Sequence, residues 1–286
     1  MPFPGFELAC VAIIALALAA MARLRPWPGL LADYAALALA GWLGEETCVA
    51  WYEHYGYSPA WHGRLDLVPA MIPLIWPLVI LSARAVVDAI APGAGWRRPL
   101  LVGALVVFDA SLVEVIAVRA RLWAWAEPGH LEVPLLGILG WGFFAAGADV
   151  ALGVGQRAAG VVRAFATRLA LLVPALALTH LLILAAWWGC FRWVLRGRLG
   201  DASFVGLGVI AAVALAGAWA ARRRGRALPL DVALPRMVAA ALFLATLVVV
   251  APGDVRLWLH TALVAAPYVA ITDFTWRRAS VTTGTR

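Results

Sequence analysis

Residues 41–63 read GWLGEETCVAWYEHYGYSPAWHG, and the apolar run that leads into them decides the fold. From residue 30 the chain is mostly Leu, Ala and Gly until it meets the adjacent acids Glu45 and Glu46. A helix needs about 20 such residues to cross a ~30 Å hydrocarbon core. Comparable runs recur at roughly 5–22, 30–50, 67–87, 99–118, 133–152, 167–188, 203–221, 236–252 and 257–274. The spacing predicts an all-α, polytopic transmembrane helix bundle of eight to nine spans. No connection is long enough for a soluble domain, so residues 1–286 are expected to form a single integral-membrane domain.

Composition points the same way. Of 286 residues, 64% are hydrophobic, and the mean hydropathy is +0.88; soluble domains are about half apolar. The formal charge of +7 comes from arginines in short clusters between apolar runs, which reads as topology signalling rather than nucleic-acid binding. With the N-terminus outside and the C-terminus inside, 16 of the 23 basic residues fall in inner segments, as the positive-inside rule requires. The expected location is therefore the cytoplasmic (inner) membrane of a bacterium, crossed many times. All basic residues are Arg; without Lys the chain cannot form a Schiff base, which excludes retinal photoreceptors and Schiff-base lyases. Cys10, Cys48 and Cys190 are scattered and predict neither a disulfide framework nor a zinc site.

On that topology two aromatic, weakly charged loops, YEHYGYSPAWHGRLD and RARLWAWAEPGHLE, lie on one side of the membrane. Each leads into a similar segment, VPAMIPLIW (Val68 to Trp76) or VPLLGILGW (Val133 to Trp141), both reading V-P, six residues, W. Pro69 and Pro134 are expected in a first helical turn, where a missing N–H is harmless. Each aromatic loop is preceded by a span ending in acids, which suggests a duplicated helical hairpin whose sites meet at the repeat interface.

The candidate intramembrane acids are Glu45, Glu46, Asp109, Glu114 and Asp149. An ionised side chain at a helix centre costs about 3 kcal/mol or more, so such residues face the bundle interior or a wet cavity. Asp149 has a structural reading as a partner of Arg157, and Asp109 as a partner of Ser111 or of backbone. Glu46 and Glu114, with Glu45, approach the aromatic loops and read as catalytic acids, with Asp109 as a second carboxylate that positions water. Trp27, Trp96, Trp187, Trp188 and Trp276 read as interfacial anchors. Trp76 and Trp141 lie deeper, and with Trp51, Trp123, Trp125 and Tyr55 form the expected substrate-binding set. Aromatic faces in an apolar pocket stabilise a carbocation, and a neutral carboxyl beside them can protonate a carbon–carbon double bond.

Several chemistries are missing. The five histidines form no H-x-x-H or H-x-x-x-H box for a di-iron centre. His180 within its span reads more readily as a packing residue than as a ligand. There is no D-D-x-x-D diphosphate–magnesium pattern, P-loop, dinucleotide fingerprint or G-x-S-x-G elbow. No metal and no cofactor is expected, which leaves cofactor-free acid–base chemistry or transport.

The segments WYEHYGYSPAWHGRLDLVPAMIPLIWPLVILSA and FDASLVEVIAVRARLWAWAEPGHLEVPLLGILGWGFFA resemble the integral-membrane carotenoid biosynthesis proteins of bacteria and archaea. That family includes hydratases that add water to the terminal double bond of acyclic carotenoids. The likeness rests on Val68, Pro69, Pro73 and Trp76 in one segment. In the other it rests on Asp109, Glu114, Trp123, Trp125, Val133, Pro134, Gly140 and Trp141. It covers about residues 41–150; the additional helices over 160–280 match only in being apolar, and the loop GYSPAWHGRLD departs from the family's text. The adjacent Glu45 and Glu46 are also similar to the acidic motif of the small membrane lycopene cyclases. The resemblance implies a lyase of terpenoid metabolism, a hydratase acting on a polyene such as lycopene within the bilayer, with water as co-substrate. It further implies contacts with other carotenoid enzymes. A cyclase using the same protonation, and a proton-coupled transporter, remain open as alternatives.

Overall fold

A computed structural model describes residues 3–127, 129–155, 161–192 and 200–274. Arg157 and Trp276, assigned above as an ion-pair partner and an anchor, lie outside the described residues. Among the described residues the apolar runs form nine helices: α1 (Phe3–Met21), α2 (Trp27–Tyr52), α3 (Met71–Ile90), α4 (Arg98–Arg119), α5 (Leu135–Gly155), α6 (Val161–Ala186), α7 (Gly200–Arg223), α8 (Leu230–Val250) and α9 (Val255–Ile271). The chain is an all-α, membrane-embedded, multi-pass bundle. Seven of these helices are long and apolar enough to cross a membrane. The other two are α2 and α9. Helix α2 has the length, at 26 residues, but carries Asp33, Glu45 and Glu46; α9 has only 17 residues.

Among the described residues, short strands occur only in connections. They are β1 (Tyr55–Tyr57), β2 (Arg64–Leu65), β3 (Val68–Pro69), β4 (Trp123–Trp125), β5 (Leu228–Pro229) and β6 (Thr272–Asp273). Pro69 thus sits in a strand just before α3 rather than in its first turn, and Pro134 immediately precedes α5.

Helices α2 to α6 surround the centre: α4 packs along α5, α5 along α6, and α2 between α3 and α6. Lipid tails are as apolar as leucine, so contact between spans depends on close packing and on polar side chains. Small residues supply the first. A Cβ on Gly103 of α4 would stand 2.8 Å from the Gly142 carbonyl of α5, and one on Gly142 would stand 3.0 Å from the Gly103 carbonyl. The backbones touch there, and only glycine permits it.

Buried ion pairs occupy the end of the bundle away from the aromatic loops. Asp33 of α2 pairs with Arg25 and with Arg168 of α6. Asp149 of α5 meets Arg84 of α3 at 2.7 Å and also pairs with Arg98 of α4. Asp149 therefore takes its partners from neighbouring helices. Asp109 does not bond Ser111, whose hydroxyl donates to the Phe108 carbonyl at 2.6 Å. It pairs instead with Arg236 of α8 and accepts from the Tyr268 hydroxyl of α9, while Arg236 also donates to Ser82 Oγ at 2.8 Å.

Candidate functional site

The two aromatic loops pair with each other. Strand β1 runs antiparallel to β4, with Tyr55 opposite Trp125, Gly56 opposite Ala124 and Tyr57 opposite Trp123. Side chains alternate along a strand, so the Y-G-Y and W-A-W texts each put both aromatics on one face. Each loop starts by a left-handed residue, Glu53 (φ 50°) after α2 and Arg121 (φ 57°) after α4. The hairpins α2–α3 and α4–α5 are thus brought together about the Gly56–Ala124 pair in equivalent postures.

Their acids are held in equivalent cradles. Glu45 Oε2 accepts from the hydroxyls of Tyr55 and Tyr57, the second at 2.7 Å, and Glu45 Oε1 accepts from Trp76 Nε1 at 2.9 Å. Glu114 Oε2 accepts from Trp123 Nε1 at 2.8 Å and Trp125 Nε1 at 3.0 Å, and its Oε1 accepts from Trp141 Nε1 at 2.8 Å. Each carboxylate thus has one oxygen occupied by two loop aromatics and the other by the tryptophan of its V-P helix. The Trp76 and Trp141 rings lie against each other, with centroids 4.6 Å apart. Burial, reinforced by the Glu45 charge, pushes the Tyr55 and Tyr57 phenols well above their usual range, so both remain donors.

Both acids and all six of these aromatics line one cavity of about 120 Å³ between helices α2 to α6. Ile72, Ile75, Leu136, Phe144, Leu176 and Ile183 supply much of its apolar wall. A smaller polar group lies on the α2–α6 side. His180 Nε2 stands 2.9 Å from Thr47 Oγ1, and His180 Nδ1 stands 2.8 Å from the Tyr52 hydroxyl. Thr47 donates to the Leu43 carbonyl at 2.7 Å, so His180 carries its proton on Nε2 and accepts from Tyr52 at Nδ1. Among the described residues no group of three or more His, Cys, Asp or Glu could hold a metal ion.

Not every expected site residue enters this cavity. Glu46, taken above as a leading acid, points away: successive helical residues are about 100° apart, and Glu45 occupies the inward face. Glu46 instead accepts from the Leu67 N–H at 3.2 Å, in the exposed connection before α3. Asp109 and Glu114 are separated by five residues, about 140° around α4, so Asp109 faces Arg236 and not the cavity. Trp51 is 66% exposed, with its ring 5.4 Å from that of His180 on the outer side. Glu45, Glu114, Trp76, Trp141, Trp123, Trp125 and Tyr55 are brought together. Sequence reasoning passed over Tyr57 as a ligand of Glu45, although the Y-G-Y alternation carries it. It also passed over Cys48 and Tyr52, which follow Glu45 by one and two helical turns, and Thr47, which meets His180.

An apolar cavity with two carboxyl groups and π faces between them can protonate an apolar substrate, hold the resulting cation and return the proton. Comparison of the chain with protein-family models, with characterised proteins and with solved structures finds no match in any of the three.

Proposed function

We propose that the chain is a hydro-lyase that hydrates the terminal double bond of an acyclic polyene such as lycopene. The observation that carries the reading is the pair of tryptophan-bound carboxyls, Glu45 and Glu114, facing one apolar cavity. Glu45, held by two phenols and one indole, is assigned the base, and Glu114, held by three indoles, the acid. Glu114 delivers a proton to the inner carbon of the terminal double bond, leaving a tertiary cation on the dimethyl carbon. The adjoining, mutually tilted faces of Trp76 and Trp141 stabilise that cation as a ring quadrupole stabilises an ammonium. Water adds to the cation, Glu45 takes the proton released, and passage of that proton through cavity water to Glu114 restores both acids. General acid–base steps of this kind contribute about 10²–10⁴ in rate, with the remainder from preorganised polar groups.

The size of the cavity supports a role limited to the chain end. About 120 Å³ holds a terminal isopropylidene unit and a water, not a whole polyene, so the rest of the substrate extends between helices into lipid. In this assignment Glu45 takes the place expected for Glu46, and Asp109 has no catalytic part. The membrane is read as the bacterial inner membrane, with the N-terminus and the aromatic loops outside and the C-terminus inside. The test is expression in a lycopene-accumulating bacterium, with pigments separated and weighed by mass spectrometry. A pigment heavier by one water, lost in both Glu45→Gln and Glu114→Gln, is the expected result. An isomer of unchanged mass would mean cyclisation. Unmodified lycopene beside membrane-inserted protein would overturn the enzymatic reading in favour of transport.

A further inference from the structure

A second constellation lies across the wall formed by Trp125 and Leu136, which line both cavities. Ser203 Oγ of α7 stands 2.5 Å from His130 Nδ1 in the α4–α5 connection. His130 Nε2 stands 3.1 Å from His260 Nδ1 of α9, and His260 Nε2 stands 2.8 Å from the Ser111 carbonyl of α4. Three separate helices and a loop thus supply one continuous chain of polar contacts.

Its proton pattern is determined from the buried end. A carbonyl only accepts, so His260 Nε2 carries a hydrogen and donates to Ser111. With neutral rings, His260 Nδ1 is then an acceptor, His130 Nε2 the donor to it, and His130 Nδ1 an acceptor. The only role left for Ser203 in its contact with His130 is donor. A serine hydroxyl donating to an imidazole whose far nitrogen is fixed by a third group is the arrangement that activates an oxygen nucleophile. Burial and the positive charge of Arg256 keep His130 below its usual range, hence neutral and able to act as base.

The surrounding space suits a lipophilic substrate. The cavity is about 970 Å³, within the range of small-molecule sites, with Val107, Phe108, Phe191, Leu207 and Ile210 on its walls. Arg256 lies 4.8 Å over the Phe204 ring, whose centroid is 4.6 Å from that of His130, so a cation stands at the relay.

We infer that Ser203, His130 and His260 form a second active site, a serine hydrolase or acyltransferase centre for esters or thioesters of long apolar acyl chains. Ser203 Oγ attacks the acyl carbonyl while its proton passes to His130 Nδ1. Arg256 offsets the charge that develops on the carbonyl oxygen. Collapse of the tetrahedral intermediate expels the alcohol or thiol, which takes the proton back from His130. Water then attacks the acyl-serine by the same route, releasing the acid and restoring Ser203. His260 is a positioning residue that acts through His130. This centre is independent of the proposed hydration chemistry, and either can fail alone.

The test is covalent trapping with an alkyl fluorophosphonate on the purified full-length protein in detergent, with the adduct located by peptide mass spectrometry. Ser203 is expected to carry the adduct, and Ser203→Ala to carry none. His130→Gln is expected to slow labelling at least about tenfold, since general bases contribute about 10²–10⁴. His260→Gln keeps an amide oxygen to accept and an NH₂ to donate, so it retains most of the rate, whereas His260→Phe loses it. A wild-type protein unlabelled at Ser203 overturns the inference without recourse to any variant. Equal labelling of Ser203 in wild type and His130→Gln overturns it as well.

Discussion

The cradle around Glu114 makes a prediction that separates hydrogen-bond count from charge. Three indole N–H groups converge on this carboxylate at 2.8, 3.0 and 2.8 Å, two on Oε2 and one on Oε1. In Glu114→Gln the amide oxygen takes the two-donor side, and the NH₂ then faces Trp141 Nε1, so one bond is lost. In Glu114→Leu all three are lost at equal bulk. Polar contacts between membrane helices average about 0.6 kcal/mol and reach about 1.7 kcal/mol. The Gln variant should therefore lose roughly 0.6–1.7 kcal/mol and the Leu variant roughly 2–5 kcal/mol on the same per-bond values. The assay is reversible unfolding of the detergent-solubilised protein by increasing SDS, followed by tryptophan fluorescence. Trp123, Trp125 and Trp141 all report directly on the cradle. If Gln costs as much as Leu, charge and not bond count holds the site, and the reasoning fails. If neither shifts the midpoint, the cradle contributes nothing to stability.

Three further outcomes follow from local geometry. In Gly41→Ala the new methyl would lie 2.9 Å from Trp76 Cβ and Cγ, too near the backbone for the ring to swing clear. A loss of about 1–3 kcal/mol, typical of overpacking, and a changed emission spectrum are expected from the same titration. Asp149→Ala leaves the buried Arg84 without its carboxylate, while the half-buried Arg98 keeps Asp88, and should cost about 3–5 kcal/mol. Adding Arg84→Met should recover part of that loss, and no recovery would refute the pairing. His130 is a base whose folded pKa is lowered, with Ser203 of α7, His260 and Arg256 of α9, Arg119 of α4, Asp254, and Glu127 and Glu132 of its own loop around its cavity. Between that lowered value and the ordinary value of about 6.5 the unfolded chain binds the proton and the folded chain does not. Its contribution is therefore present above pH ~6.5 and lost as pH falls toward the folded value. The SDS midpoint should drop on acidification, and less so in His130→Gln.

Much of this was legible in residue order, for reasons that differ by element. Each apolar run became a helix because lipid and a dry interior both demand internally paired backbone. The V-P, six residues, W echo pointed to two alike hairpins, and the Y-G-Y and W-A-W alternations already contained the pairing surface. The choice between Glu45 and Glu46 needed helical phase. Leu37, Gly41, Glu45 and Cys48 recur at three- and four-residue steps, so Glu45 shares its face with small and apolar neighbours. The same arithmetic separates Asp109 from Glu114. What residue order could not supply was the pairing of Asp33, Asp109 and Asp149. Their partners Arg168, Arg236 and Arg84 sit on other helices, and with 23 arginines nothing local tells one from another. The Ser203–His130–His260 relay was hidden for the same reason, since no spacing rule joins residues on three different elements.

One property of the twin cradles bears on how such a chain is made. Among the described residues, every donor to Glu45 comes from its own hairpin, α2 to α3, and every donor to Glu114 comes from its own, α4 to α5. A ribosome delivers these hairpins one after the other, and each brings a carboxylate that lipid rejects. Because each hairpin carries its own three donors, the first can enter the bilayer with its acid already satisfied, before the second has been synthesised. The β1–β4 ladder then joins two units whose cradled glutamates are each already satisfied. The acids can be kept for chemistry because neither must wait for a distant partner during insertion.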